Sequence, residues 1–433
     1  MRRGEIVGPR TVLVVDGRIT AIGAPETIVV PEAATRVDGR GRYLMPGLVD
    51  MHVHLFNRAS GRPPNEWAFP LFVANGVTGV REMACGVADL PTLRHWETAR
   101  AERRLVGPRV LAAGVVVAGT SVADVREQVR KAHAAGASFV KVFSNLPAPE
   151  WRAVMAEARA VKIPVCGHVP REVRALEAAR AGQRSDEHLT QLYEACSTHE
   201  ASVFSARRES RGGGSDGVDA EEREVLESFD PQLCAQMAAA LAETKQVQVP
   251  TLVLPYFEAR GSTVGFRENP SWPNLRPDEQ ARWERILRER PVEPELAARR
   301  WEVSRRIVRE LNAAGVRILA GTDAPMPLVY PGVALHKELE LLVESGLSPA
   351  EALRAATIWP AEFLDLAASS GSVEVGKRAD LLLLDANPLD AVSNTQRIDA
   401  VVLDGRLLRR AELRALLEPA PNSSHSFGNL DSQ

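Results

Sequence analysis

The chain has 433 residues, with 53 lysines and arginines against 56 aspartates and glutamates, a net charge of −3. This near balance, without a basic stripe, argues against nucleic acid or an anionic membrane as partner, and no apolar run approaches a membrane-spanning length. The length suits one large barrel with a small accessory domain.

Near the start, Met1-Arg2-Arg3 is not followed by an uninterrupted apolar stretch of signal length. Cys85, Cys166, Cys196 and Cys234 lack Cys-x-x-Cys spacing or a disulfide-rich framework, so a reducing cytoplasm is the expected compartment. Residues Ile6 to Ile22 and Ala24 to Val37 read as β pieces punctuated by Gly and Pro.

The next run, Leu44 to His54, ends in His52-Val53-His54. Side chains of a strand alternate faces with period 2, so His52 and His54 point the same way and can converge on one metal. The competing reading is a pair of half-buried strand histidines.

Strand-like and helix-like stretches then alternate. The strand candidates are Gly47 to His54, Val77 to Glu82, Arg109 to Val115, Phe139 to Phe143, Pro164 to His168, Arg184 to His188, Val247 to Leu252 and Val316 to Asp323. Helices are expected over Val122 to Ala135, Ala148 to Val161, Val173 to Ala181, Pro231 to Thr244 and Ala297 to Ala314. Eight strands is the number of a (β/α)8 barrel. Lys141 sits inside the fourth, where a buried ammonium needs a reason; His168, His188 and Asp323 close the fifth, sixth and eighth. Taken singly, each has an ordinary explanation: a carboxylate partner for the lysine, core hydrogen bonds for the histidines, a helix cap for Asp323. Together they fall at the carboxyl ends of strands one, four, five, six and eight, where barrel active sites form.

Two stretches break the rhythm. Ser205 to Asp219 contains a Gly-rich run and reads as a mobile loop, either a lid or a passive insertion; Tyr256 to Pro294 carries Trp272, Trp283, Phe257 and Phe266 and either covers the pocket or anchors itself to the barrel. Cys166 shares a strand with His168 and is read as a small buried hydrophobe rather than a nucleophile or ligand. Of the remaining histidines, His95, His133 and His199 are placed outside the site, and His336 is the one best placed to reach it. Farther on, Ser348 to Thr357 reads as a helix with a Ser N-cap and Pro in its first turn. Gly371 to Arg410 reads as β again, and Pro419 to Gln433 as a disordered tail.

Pro46-Gly47-Leu48-Val49-Asp50-Met51-His52-Val53-His54, the strand lysine, the two later histidines and Gly321-Thr322-Asp323 resemble the amidohydrolase superfamily. Asp16 to Gly23 and Val375 to Leu381 resemble the paired β pieces of its imidazolonepropionase-like and prolidase-like members. The resemblance implies a (β/α)8 barrel over 46–370 and a small β-sandwich built from 1–45 and 371–418, with 419–433 outside both. It also implies two divalent metal ions, expected to be zinc, bridged by carboxylated Lys141, with His52, His54 and Asp323 on one ion and His168 and His188 on the other. Chemically, an ammonium cannot coordinate a cation, whereas a carbamate offers two anionic oxygens.

The expected activity is hydrolysis of an amide in a dipeptide, an N-acyl amino acid or a related compound by a metal-activated hydroxide, with Asp323 as general acid and base. The expected partner is a small-molecule substrate, with no nucleic acid and no membrane, and the expected assembly a homo-oligomer. The alternatives are a single-metal deaminase of a cyclic amidine, against which Lys141 argues, and a non-catalytic dihydropyrimidinase-like scaffold.

Overall fold

Near the amino end, β1 (Thr11–Val15) and β2 (Arg18–Gly23) form an antiparallel hairpin. Its two turn residues, Asp16 and Gly17, both have positive φ, as the tight turn matching strand twist requires. The computed structural model describes residues 5–56, 62–209, 216–261, 266–289 and 293–418.

After β3 (Tyr43–Pro46) the barrel begins. Its strands β4 (Leu48–Val53), β5 (Val77–Cys85), β6 (Arg109–Val116), β7 (Phe139–Val142), β8 (Val165–Gly167), β9 (Ser185–Glu187) and β10 (Val247–Val249) lie side by side in chain order, all parallel. The expected eighth strand is not a regular one. Residues 316–324 close the barrel through single bridges, Gln248 with Ile318 and Val53 with Ala324. Leu319 N donates to Gln248 O at 2.9 Å on one side, and Met51 N to Ala320 O and Asp323 N to His52 O at 2.9 and 2.7 Å on the other. A Cβ at Gly321 would lie 2.9 Å from the His52 backbone nitrogen, so glycine is what lets this stave pass so close to β4.

Helices pack outside. Ser121 caps the helix Val122–Ala134 by accepting from Asp124 N, and that helix turns Val125, Val129 and Ala132 toward the sheet. Asp230 caps the helix Pro231–Ala242, and Ser348 with Glu351 forms the capping box of Pro349–Ala355, as the Ser-Pro start implied. Inside the barrel, Val49, Met51, Met83, Phe139, Cys166, Val247 and Leu319 pack into an apolar floor. Cys166 is therefore a core residue.

The chain ends build the accessory unit. β11 (Leu381–Leu384) lies between β3 and β12 (Ile398–Leu403), and β13 (Arg406–Arg409) completes a four-stranded antiparallel sheet. The β1–β2 hairpin packs Ile19 against Ala379 and Leu381 of this second half. Contrary to expectation, 24–37 contains no strand: Pro25 and Pro31 cannot donate to a ladder, and a turn at Ala24–Thr27 diverts the chain.

Two further expectations need correction. Ser205 to Asp219 is not one loop, because the helix Glu200–Glu209 runs into it and Asp216–Glu227 leaves it; its Gly-rich centre lies outside the described residues, as does 419–433. Tyr256 to Pro294 is largely helical over Val253–Gly261 and Pro277–Glu289, and Trp283 is fully buried against Tyr330 at 5.0 Å between rings. That tryptophan anchors the segment. Glu279, also buried, binds Arg62 from the first barrel loop and Arg282, whose Nη2 donates to Pro325 O at 2.9 Å. Finally, Cys196 and Cys234 form a disulfide joining the helices Leu192–Ala195 and Pro231–Ala242, a pairing the cysteine spacing did not suggest. Among the described residues, no helix is long and apolar enough to cross a membrane.

Candidate metal centre

Six polar side chains meet at the carboxyl ends of the barrel strands. His52 lies within β4 and His54 one residue past it; Lys141 is in β7 on the inward face it shares with Phe139; His168 and His188 directly follow β8 and β9; Asp323 is in the last stave. His188, Leu189, Thr251 and Asp323 all have positive φ, a conformation costing each non-glycine residue roughly 1–3 kcal/mol. Such strain persists only where the surrounding structure over-determines the conformation, and it tends to cluster at functional sites.

The ligand atoms of His52, His54 and Asp323 all lie within 4.8 Å of one another. The Nε2 atoms of His52 and His54 are 3.1 and 2.7 Å from Asp323 Oδ1. His168 and His188 do not join this tight trio but adjoin it, with ring centroids 4.5 Å apart for His52 and His188 and 5.0 Å for His168 and His188. Lys141 Nζ is buried without a hydrogen-bond partner. An orphaned buried amine is costly, and together with two imidazole nitrogens converging on one carboxylate oxygen it fits a site shaped around a cation. The carboxylate partner considered for Lys141 does not bond to it.

Electrostatics agree with that chemistry. Burial pulls the Lys141 ammonium down to about 8, which eases the neutral amine that carboxylation requires. His188 is pulled down to about 3 and His168 well below the usual histidine value, in both cases chiefly by burial. Burial alone would raise the Asp323 carboxyl, but His54 and His52 override it and hold the group well below the carboxylate range. Neutral imidazoles at His168 and His188 and an anionic Asp323 are protonation states a metal needs, whereas Asp323 and Glu82 raise His54 against the effect of its burial.

Three of the four inward imidazoles, those of His52, His168 and His188, have the other nitrogen anchored. His52 Nδ1 donates to Glu187 Oε2 at 2.8 Å. His188 Nδ1 is 2.7 Å from Thr251 Oγ1, whose hydroxyl hydrogen goes to Pro250 O, so the ring must donate there and keeps Nε2 free. His168 Nδ1 pairs with Ser144 Oγ at 2.9 Å. Glu338, fully buried, accepts from Leu252 N and Val253 N and so holds the turn that presents Thr251. Behind His52, Asp50 accepts from Thr322 N, Thr322 Oγ1 and His52 N, tying the first stave to the last.

The description of the amidohydrolase family matches residues 43–210 and 278–408. The chain belongs to that family. Among solved structures, this amidohydrolase is similar to bottromycin amidohydrolase, at 25% identity and TM-score 0.69 over 95% of this chain and 85% of that one. It is also similar to a putative prolidase from Bifidobacterium longum, at 25% identity and TM-score 0.61 over 94% and 93% of the two chains. A curated relative, adenine deaminase 3 of Rhizobium meliloti (strain 1021), is 30% identical over 202 residues, 43% of this chain and 33% of the relative. The curated relatives are matched over a third of their length or less.

Within this amidohydrolase, His95 and His133 are exposed on outer helices, His199 pairs with Glu224, and His336 points away from the centre. His336, the one of the four best placed to reach the pocket, does not do so, because its Nε2 donates to Asn75 O and its Nδ1 meets Thr395 Oγ1, both at 2.9 Å. It ties the barrel to the accessory unit. Burial lowers its pKa from the ordinary 6.5 to about 4, so the folded protein keeps it neutral while the unfolded chain protonates near 6.5. Its contribution to stability is therefore complete above 6.5 and lost as pH falls through 4. His336→Gln should be less stable than the wild type by about 1–3 kcal/mol at pH 7.5, the deficit narrowing toward pH 5. Urea unfolding of both proteins across that range checks this.

Proposed function

We propose that this chain is a binuclear metal-dependent hydrolase of amide bonds, acting on a dipeptide, an N-acyl amino acid or a related amide. The observation that carries the reading is the Lys141 amine, fully buried without a hydrogen-bond partner and interacting electrostatically with Asp323, His168 and His188. His52, His54 and Asp323 would hold one divalent ion, expected to be zinc, and His168 and His188 the other, with carboxylated Lys141 between them. Such ions supply Lewis acidity toward a carbonyl oxygen and make water acidic enough to attack near neutral pH.

The chain's own groups do the rest. Asp323 accepts the proton of the attacking water and returns it to the departing nitrogen, so the amine leaves neutral. Glu187, Thr251 and Ser144 keep the imidazoles turned toward the centre. Lys141, as a carbamate, adds the negative charge that two closely spaced cations require.

The adenine deaminase relative favours a second reading, a single-metal deaminase. Metal analysis of protein from metal-replete growth, with a screen of Xaa-Pro dipeptides, N-acyl amino acids, carbamates, lactones and aminopurines, decides between them. About two ions per chain with amide turnover supports the hydrolase. About one ion with ammonia release from an aminopurine supports the deaminase, and no metal at all would return the chain to the scaffold reading.

A further inference from the structure

Arg81 is a fully buried cation on the inner face of β5, beneath the metal centre. Its Nη2 lies 2.8 and 2.9 Å from the two carboxylate oxygens of Glu187, Nη1 donates to Ser185 Oγ at 3.2 Å, and Nε donates to Met51 O at 2.6 Å. The Phe139 and Phe363 rings flank the guanidinium at 5.6 and 5.5 Å. Glu187, equally buried, accepts in addition from Ser185 Oγ and from His52 Nδ1.

We infer that Arg81 and Glu187 form a positioning couple that fixes the ring orientation and tautomer of His52, and thereby makes the ion shared with His54 and Asp323 the more tightly held of the two. This rests on the metal-centre reading above. A buried ion pair is a poor source of stability, since well-packed apolar residues in its place are often neutral or better. This couple holds His52 from two sides, Arg81 bonding the carbonyl of the preceding residue, Met51, and Glu187 bonding the ring itself.

The three anchored imidazoles differ. His168 and His188 lean on neutral hydroxyls, whereas His52 leans on an anion, and an anionic partner makes the opposite ring nitrogen a stronger donor. The couple thus favours the His52 side of the centre. Arg81 keeps Glu187 ionised in an apolar floor and fixes both oxygens so that one of them always faces Nδ1.

Chelator-buffered cobalt(II) titration, followed by absorbance, tests this on the wild type, Glu187→Gln and the double variant Arg81→Met/Glu187→Gln. The double variant removes both charges, leaves no lone buried ion, and should fold as stably as the wild type by urea unfolding. Both variants should bind the first cobalt about 10–100-fold more weakly, the usual effect of losing a partner behind a ligand, with the visible spectrum of that ion shifted and the second site little changed. A folded double variant with wild-type affinity and spectrum would overturn the couple while leaving the metal centre standing. A wild type that binds no cobalt would instead overturn the metal reading itself.

Discussion

Lys141→Ala should lose most of its metal and nearly all turnover. In the proposed centre the bridge between the two ions is assigned to the Lys141 carbamate, and alanine leaves a space where the lysine side chain stood. The loss should exceed the roughly 10–100-fold expected when a partner behind a ligand is removed, because here the bridge itself disappears. Acetate or propionate should restore part of both metal and activity by entering that space with a carboxylate. Metal content by elemental analysis and turnover on the best substrate measure the effect; full occupancy with wild-type turnover would rule out the carbamate.

Asp323→Asn should separate chemistry from metal holding. The amide keeps a carbonyl oxygen beside His52 and His54, whose nitrogens lie 3.1 and 2.7 Å from Oδ1 in the wild type, so part of the metal should remain. An amide cannot accept a proton from water at neutral pH. Turnover should fall by about two to four decades, the range for removing a general acid or base. Comparing rates per bound metal, rather than per chain, isolates the proton transfer, and near-normal turnover on that basis would take Asp323 out of the role.

The six candidate ligands were legible because each is a polar group at the end of an apolar β run, and the structure brings all six to one end of the barrel. Arg81 carried the same signal, a charge in the middle of Val77–Cys85, and the reasoning applied to Lys141 would have found it. Glu187 was in view only as the neighbour of His188. Thr251 and Ser144 could not have been picked out, since hydroxyls are common and theirs matter only through the ring they face. Glu338 acts on a turn 85 and 86 positions away. The helix Pro277–Glu289 is hard to single out in the sequence because charged residues dominate it and one of its buried positions is itself a charge, Glu279, held by Arg62 and Arg282. The Cys196–Cys234 pair, 38 positions apart, depends on how two helices meet, which spacing alone does not convey.

The chemistry also lies across a seam. Seven strands can pair in chain order without residues 316–324, yet that assembly would lack the aspartate of the trio and the buckle of Asp50 on Thr322, two residues 272 positions apart. Circularising the sheet and completing the trio are therefore one geometric event, since the same short stretch supplies the closing contacts and the aspartate. A barrel open at this seam would lack the trio.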